Sequence, residues 1–434
     1  MTKTSFFLIV GLVGDLCVAP SATAALLSGP EYDSLVAIYD STNGAQWENT
    51  VWNEKPWKVG DACWWHGVTC DLNEHVIAIG LIQNNLIGTL PALDGLSHLE
   101  NLFLSMNHLQ GPIPDLTSLS KLRELELAIN DLSGAIPPLE GLTELTYFHV
   151  AGNRLSGRIP GLAGLTNLKT FVCSQNQLEG NIPGELSALT HLEMFDVSDN
   201  ALTGSIPDLS NLVELDTFDA AFNYLHGALP PLASLAKLRR FRVQYNQLQT
   251  WSADYNNHEF LTDLDVSFNL LTSSLPPFAG VAALTTFDVS GNFLEGTLPA
   301  FANAPALSLF AADDNEFSGA LPDLSTMADL AVVSVERNRL TGHLPIANTG
   351  HLRQLRVAGN HLTGPVPQAS TILLAGRSSL CPNAFDFSID PVSSNDLRWD
   401  AAVGVGTDHW WGPPGAGCDG IFADEFQQDY FETP

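Results

Sequence analysis

The sequence contains 434 residues, with 48 acidic against 18 basic side chains and a formal net charge of −30 at pH 7. Such a charge repels nucleic acid and anionic lipid and favours a basic partner. After the N-terminal segment, no stretch approaches the roughly 18 apolar residues that cross a bilayer, so we expect neither nucleic-acid binding nor a membrane span.

Residues 1–24 have the pattern of a removable export signal. Lys3 precedes an apolar run from Phe6 to Val13, and Ala22-Thr23-Ala24 provides a small-residue cleavage site. The pattern predicts a secreted, extracellular protein, with the periplasm or a cell surface as alternatives.

A short helix is predicted at the start of the segment 25–75. Ser28 and Glu31 have the spacing of a capping box, and Asn43-Gly44 is a stop signal. Apolar residues at helical spacing between these two signals fall on one face and predict burial against a core. They are Tyr32, Leu35, Val36 and Tyr39.

The central feature of the chain is an asparagine that recurs thirteen times, and ten of the twelve spacings are 23 residues. A period this regular indicates one supersecondary unit stacked on copies of itself, each burying an apolar face against its neighbours. The sequence therefore predicts a solenoid. The asparagines are Asn84, Asn107, Asn130, Asn153, Asn176, Asn200, Asn223, Asn246, Asn269, Asn292, Asn315, Asn338 and Asn360.

Aligned on the asparagine, the units share the frame LxxLxLxxNxLxGxIP. The alternation around Leu102 and Leu104 predicts a short strand with its leucines inward, and the strands of successive units should form a parallel sheet. The asparagine offers one acceptor and two N–H donors to the turn backbone, so we interpret the asparagine ladder as structural. The glycine that follows in most units suits a turn with positive φ.

This repeat is similar to the plant-type leucine-rich repeat, and the similarity covers residues 76–367. Upstream, CWWHGVTC from Cys63 to Cys70 resembles the disulfide-bonded N-terminal cap of that family. The resemblance implies an α/β-type solenoid dominated by β structure: a curved superhelix with a parallel concave sheet, a helical disulfide cap at residues 25–75 and an irregular C-terminal cap. It extends to polygalacturonase-inhibiting proteins and receptor ectodomains, which bind partners on the concave face.

Residues 368–434 are predicted to form the C-terminal cap and tail, with a disulfide between Cys381 and Cys418. Cys173 occupies an inward leucine position and is predicted to be a small buried hydrophobe. The chain has many asparagines but no Asn-x-Ser/Thr glycosylation sequon. Because plant ectodomains of this type usually carry several, the sequence favours a bacterial source.

Side chains that point outward from the predicted strands should cover the concave sheet. Their functional interpretation is a groove for a basic or sugar-bearing ligand. The alternative is a solvated sheet face, because Asp and Ser at these positions match the common LDLSxN strand. The candidate binding residues are Phe103, Glu124, Glu126, Tyr147, His149, Asp196, Asp219, Arg240, Arg242, Tyr245, Asp265 and Asp288.

The eighth repeat departs most from the frame. It lacks the turn glycine and the proline, and it places Arg240, Arg242 and Tyr245 on the predicted concave side. Arginine and aromatic residues are enriched in protein interfaces, but sequence drift explains the departure equally well. Arg242 lies between the strands of Asp219 and Asp265, so it is either a ligand clamp or part of an intramolecular charge ladder.

No sequence motif of a hydrolase, a nucleotide loop or a metal site is present, so we expect no enzymatic activity and no cofactor. The sequence therefore predicts a secreted, non-enzymatic module that binds a protein or peptide. A carbohydrate or cell-wall binder is the alternative. Ice binding is less favoured, because the positions two before each proline form no regular threonine row.

Overall fold

The computed structural model describes residues 29–48, 57–251, 258–276, 280–300, 304–324, 327, 329–345, 352–366, 372–386 and 394–404. The predicted signal segment 1–24 and Cys418 lie outside these ranges. Within them, no helix has both the length and the apolar character that crossing a membrane requires.

The N-terminal cap consists of helix α1 (Pro30–Ser41) and the Cys63–Cys70 disulfide. The helix begins at Pro30 with Gly29 as its N-cap, so the predicted capping box does not form. The pyrrolidine ring of Pro30 already has a helical φ, which favours a start at this residue. As predicted, the helix ends before Asn43, which adopts a left-handed conformation, and its apolar face packs on the core.

Fourteen strands form the main sheet, one from each coil after an initial antiparallel pair. The other neighbours run parallel, because each coil brings the chain back in the same direction. The strands are β1 (Val68–Cys70), β2 (Val76–Gly80), β4 (Asn101–Phe103), β6 (Glu124–Glu126), β8 (Tyr147–His149), β10 (Thr170–Val172), β12 (Met194–Asp196), β14 (Thr217–Asp219), β16 (Arg240–Arg242), β18 (Asp263–Asp265), β20 (Thr286–Asp288), β22 (Leu309–Ala311), β24 (Val332–Ser334) and β26 (Gln354–Arg356).

A second strand, here called the outer strand, follows the ladder asparagine in most coils and was not predicted from the sequence. Six of these strands form one parallel sheet: β3 (Ile87–Thr89), β5 (His108–Gly111), β7 (Asp131–Gly134), β9 (Arg154–Arg158), β11 (Gln177–Asn181) and β13 (Ala201–Thr203). Eight form another: β15 (His226–Ala228), β17 (Gln247–Thr250), β19 (Thr272–Ser274), β21 (Phe293–Thr297), β23 (Glu316–Ala320), β25 (Arg339–Gly342), β27 (His361–Pro365) and β28 (Ala384–Asp386).

The asparagine ladder forms as predicted. Asn130 is typical: its Oδ1 accepts the Leu109 N–H at 2.9 Å, and its Nδ2 donates to Leu104 O at 3.0 Å and Leu127 O at 3.1 Å. One side chain thus satisfies buried backbone groups of two coils, each of which would cost about 1–3 kcal/mol if left without a partner. Asn383 makes equivalent bonds, so the ladder continues past residue 367.

Phenylalanines replace the inward leucine of the main strand in the middle coils and form a stack inside the solenoid. Ring centroids of Phe148, Phe171, Phe195, Phe218 and Phe241 lie 5.1–5.6 Å apart in sequence order. These side chains are at most 1% exposed. Cys173 is also buried, as predicted, and burial raises the pKa of its thiol.

Helix α2 (Ser394–Val403) gives the C-terminal part of the chain a regular element that the sequence analysis did not predict. Trp399 on this helix is 1% exposed and belongs to the core. Cys381 is buried and disulfide-bonded. Its pairing with Cys418 stays a prediction.

Candidate binding face

The outward side chains of the main sheet lie in register across the strands, so equivalent positions form rows. Strand pairing places Asp196, Asp219, Arg242, Asp265 and Asp288 next to one another in that order. We call these five residues the acidic row. Adjacent strands are about 4.8 Å apart, so each side chain can interact with its neighbours along the row.

The candidate residues of the early coils lie in the same row or the one beside it. Phe103, Glu126 and His149 continue the acidic row toward the N-terminus, separated from Asp196 by the buried Val172. Glu124 and Tyr147 pair in the adjacent row. The predicted positions on the strands, which are all of them except Tyr245, therefore lie in two adjacent rows of the sheet.

Arg242 forms its ion pair with Asp263, whereas Asp219 and Asp265, the partners considered for a charge ladder, act on it through charge alone. Its guanidinium pairs with Asp263, with Nε at 2.9 Å from Oδ2 and a second bond from Nη2 to the same oxygen. Asp263 lies in the neighbouring row, in register with Arg240. The sequence analysis missed Asp263, although its position on the strand alternates with Asp265 and predicts the same outward direction.

The acidic row has a structural component. Oδ1 of Asp196, Asp265 and Asp288 accepts the backbone N–H of the serine two residues later, at 2.9–3.0 Å. Asp219 makes the same bond to Ala221 at 3.1 Å. These carboxylates therefore hold the turn that follows the strand, as the LDLSxN interpretation anticipates.

The row also carries uncompensated charge. Five carboxylates, those of the row together with Asp263, lie near two arginines, Arg240 and Arg242. In the described part of the chain, the ion pair of Arg242 is with Asp263, and no basic side chain pairs with the four aspartates of the row. The charge of Arg242 offsets part of the repulsion between these four carboxylates, although none of them forms an ion pair with it.

Proton affinities along the row reflect burial first and repulsion between the carboxylates second. Burial raises the pKa of Asp219 to about 7, and the Asp196 carboxylate adds to the rise. Burial and then repulsion from Asp288 raise the pKa of Asp265 to about 6, and burial raises the pKa of Asp288 itself. The row is thus only partly ionised in mildly acidic solution and gains negative charge as the pH rises.

The late coils have acidic groups with basic partners. Glu336 accepts a bond from Arg356 Nη2 at 2.6 Å, and Arg337 pairs with Asp314. Asp313 accepts the Ser334 hydroxyl at 2.6 Å, although burial raises its pKa to about 6. Acidic groups of the late coils thus have basic partners, so the acidic row is the part of the face with more negative charge outside ion pairs.

The early group is held together by a polar contact between Tyr147 and His149, whose Oη and Nδ1 lie 3.2 Å apart. Burial raises the pKa of Tyr147 to about 12 and that of the Glu126 carboxyl, while it lowers the pKa of His149. His149 is therefore neutral at neutral pH and adds no positive charge to the face.

Exposed aromatic side chains follow three members of the acidic row, each by three residues in the sequence. Phe222, Tyr245 and Phe268 immediately precede the ladder asparagine in three successive coils, and they are 49%, 43% and 38% exposed. Their rings are stacked, with centroids 4.6 and 4.4 Å apart and interplanar angles of 12° and 10°. We call these three residues the aromatic row.

The aromatic row depends on a left-handed turn. Phe222, Tyr245 and Phe268 have φ values of 54°, 56° and 51°, which hold the three rings at equivalent positions. In the next coil Gly291 occupies this position, and a Cβ there would lie 2.7 Å from the Phe268 ring. The sequence analysis selected only Tyr245, although the recurrence of aromatics before three consecutive ladder asparagines was a readable signal.

Comparison with solved structures identifies the architecture. The chain is similar to the plant peptide hormone receptor RGFR1 in complex with RGF2, with 29% identity over 71% of this chain and 52% of that one, at a TM-score of 0.68. It is similar to PEPR1 in the PEPR1–AtPEP1 structure, with 25% identity over 82% of this chain and 55% of that one, at a TM-score of 0.71.

The chain has a leucine-rich repeat fold. It spans about half the length of these two receptor chains. A plant ice-binding protein is also similar, with 26% identity over 64% of this chain and 90% of that one, at a TM-score of 0.52. No family model matches the chain, and no curated protein matches it. The fold is therefore shared by proteins with different ligands, and the surface must decide between them.

Proposed function

We propose that the chain is a secreted, non-enzymatic recognition module that binds a basic protein or peptide segment on the exposed face of the main sheet, the concave face predicted from the repeat. The observation that carries the proposal is the acidic row, which has four aspartates without a basic partner among the described residues. A cationic segment lying across the strands would relieve their repulsion.

The aromatic row supports the same location. Exposed aromatic side chains next to charged groups are typical of protein interfaces. Because Phe222, Tyr245 and Phe268 stack on one another, much of each ring face is already covered. The arrangement favours contacts between ring edges and apolar side chains of a peptide over the broad face-on stacking of a sugar ring.

Similarity in fold supports a peptide partner, because the RGFR1 structure is described as a plant peptide hormone receptor in complex with RGF2. Secretion is supported by the Cys63–Cys70 disulfide, since such bonds persist in oxidising compartments. Ice binding is less favoured, because the positions two before each proline form no regular row of hydroxyls: they read Thr89, Pro112, Ala135, Arg158, Asn181, Ser205 and Ala228.

A selection from a random displayed-peptide library against the purified chain tests the proposal. We expect enrichment of peptides with two or more Lys or Arg residues, followed by saturable binding in calorimetry. Asp219→Asn with Asp265→Asn should weaken the best peptide by about tenfold or more, because each change removes a charge that the ligand would neutralise. Enrichment of neutral or acidic peptides would contradict the proposal.

Matched controls separate this surface from the general negative charge of the protein. Glu179→Gln with Glu295→Gln removes the same number of charges from exposed positions on the outer strands β11 and β21. We expect this pair to leave the affinity within about twofold, because exposed charges at a distance are screened by salt. Equal weakening by both pairs of substitutions would show that no specific face is used.

A further inference from the structure

A separate cluster of metal-ligating side chains lies where the N-terminal cap meets the first coil. Glu31 is in the first turn of α1, His75 immediately precedes β2, and His98 lies in the turn before β4. One ligand atom from each of the three lies within 4.8 Å of the others. Residues 44 and 67 positions apart in sequence thus converge on one point at the cap.

Glu31 is the buried member of the cluster. Its side chain is 12% exposed, and its Oε2 accepts the Val76 N–H at 3.3 Å. The Oε1 atom lies 3.5 Å from His75 Nδ1 and 3.4 Å from His98 Nδ1. Within the described ranges, no lysine or arginine pairs with this carboxylate. A buried carboxylate requires a compensating cation or hydrogen bonds, so its environment favours positive charge.

The distances suit a small transition-metal ion. Zinc binds imidazole nitrogen and carboxylate oxygen at about 2.0–2.2 Å, and tetrahedral angles then place two ligand atoms about 3.3–3.5 Å apart. Both oxygen-to-nitrogen distances in the cluster fall in this range or at its edge. Two histidines, one carboxylate and a water molecule make a ligand set that zinc accepts.

The histidine rings must turn for coordination. They are stacked, with centroids 3.8 Å apart and planes inclined by 14°, so their Nδ1 lone pairs do not converge. Both side chains are more than 40% exposed, which leaves room for the rotation. The backbone is already held, because Asp71 Oδ1 accepts the His75 N–H at 2.9 Å.

We propose that Glu31, His75 and His98 bind one Zn²⁺ ion through Oε1 and the two Nδ1 atoms, with water as a fourth ligand. The ion would link helix α1 to the first strand of the main sheet and to the first repeat. It would thereby fasten the N-terminal cap to the end of the solenoid, whose core a cap has to cover.

Titration of the chelator-treated full chain with Zn²⁺ alone tests the proposal by calorimetry and thermal unfolding. We expect uptake of one ion per chain and a rise in Tm of about 2 °C or more at saturation, because an ion that binds the folded state stabilises it. His75→Gln and His98→Gln should each weaken uptake by about tenfold or more and remove the Tm rise.

His191→Gln is the matched control, since His191 is exposed and its Nδ1 lies 3.0 Å from the Thr166 carbonyl on another coil. We expect this variant to retain wild-type zinc binding. Glu31→Gln keeps the shape of the side chain and should also abolish the Tm rise. The proposal is overturned if the wild-type chain takes up no stoichiometric zinc, or if His98→Gln binds zinc as tightly as the wild type.

Discussion

At the residue scale, asparagine and aspartate perform different tasks at different positions of the repeat. The ladder asparagine, which precedes the outer strand, is buried and forms hydrogen bonds with backbone groups. Aspartate on the main strand holds the following turn and also contributes surface charge. The same residue can therefore be structural and functional, and the two roles are separated by removing the charge without changing the shape.

Replacement of Asp219 by asparagine provides this separation. The raised pKa of about 7 means that the folded state binds more protons than the unfolded state between about pH 4 and pH 7. Stability should therefore fall as the pH rises through that range. We expect Asp219→Asn to raise the free energy of unfolding at pH 8 by roughly 1–2 kcal/mol and to have little effect at pH 4.

Urea denaturation at both pH values measures this effect. Asp208→Asn is an instructive control, because backbone and side-chain hydrogen bonds from Ser210 lower the pKa of Asp208. Its stabilising contribution is present above the unfolded pKa and is lost as the pH falls. A gain in stability for Asp219→Asn that is the same at pH 4 and pH 8 would contradict the electrostatic explanation.

A ladder asparagine should have a much larger effect on stability. Asn223 donates to the carbonyls of Val197 at 3.0 Å and Ala221 at 3.1 Å, and accepts the Leu202 N–H at 2.9 Å. Asn223→Ala leaves these buried groups without the amide and should cost about 2–4 kcal/mol. Thermal unfolding checks this value. Asn167→Ala, which removes an exposed bond to Thr143, should cost less than about 1 kcal/mol.

At the element scale, each main strand has inward-facing and outward-facing side chains, and the two sets have different roles. The inward position packs an apolar side chain, in most strands leucine or phenylalanine, into the core, and its neighbours on the strand face outward. The three-residue length of most of these strands leaves two outward side chains per coil for recognition. Strand repetition then converts single residues into rows.

The core stack and the aromatic row can be compared directly in one coil. Phe218 is 0% exposed and stacks between Phe195 and Phe241, whereas Phe222 is 49% exposed. Phe218→Ala should reduce the free energy of unfolding by about 3–5 kcal/mol, because it removes contacts and leaves a cavity. Phe222→Ala should cost less than about 1 kcal/mol.

Peptide binding should depend more on Phe222 than its stability effect suggests. Phe222→Ala removes an exposed ring of the proposed interface and should weaken a selected peptide by about fivefold or more. Calorimetry with the peptide and chemical denaturation of both variants measure the two effects. An unchanged affinity for Phe222→Ala would remove the aromatic row from the proposed binding face.

At the scale of the whole molecule, the acidic row predicts how binding responds to solution conditions. Asp219 and Asp265, with pKa values of about 7 and 6, ionise between pH 5 and pH 8, while Lys and Arg side chains of a ligand stay protonated. Affinity for a basic peptide should therefore increase by about tenfold over this range and decrease with added salt. The Asp219→Asn, Asp265→Asn pair should lose most of the pH dependence.

The sequence was sufficient to predict the scaffold because the same pattern of residues recurs in successive repeats. Leucine spacing, the ladder asparagines and the turn glycines such as Gly111 and Gly134 were all predicted, and the glycines have positive φ. The outer strands were missed because many of them, such as His108–Gly111, contain glycine and lack a β-branched pattern. Their pairing follows from stacking of neighbouring coils, which is not a local property.

The site was only partly predictable, because surface rows depend on neighbours from different coils. Register brings Asp196, Asp219, Asp265 and Asp288 together as the strand positions suggested. The pairing of Arg242 with Asp263 depends on the direction of a long side chain, which the spacing does not specify. Glu31 was assigned to a helix cap, whereas the fold places it against histidines that are distant in sequence.

The asparagine ladder has a direction. In every coil from Asn107 to Asn383, the amide nitrogen donates to a carbonyl of the coil that was synthesised before it. Each new turn emerging from the ribosome therefore finds a completed template to which it can attach. The protein is suited to growth from its amino end during translation, one winding at a time, with the disulfide-closed cap as the starting surface.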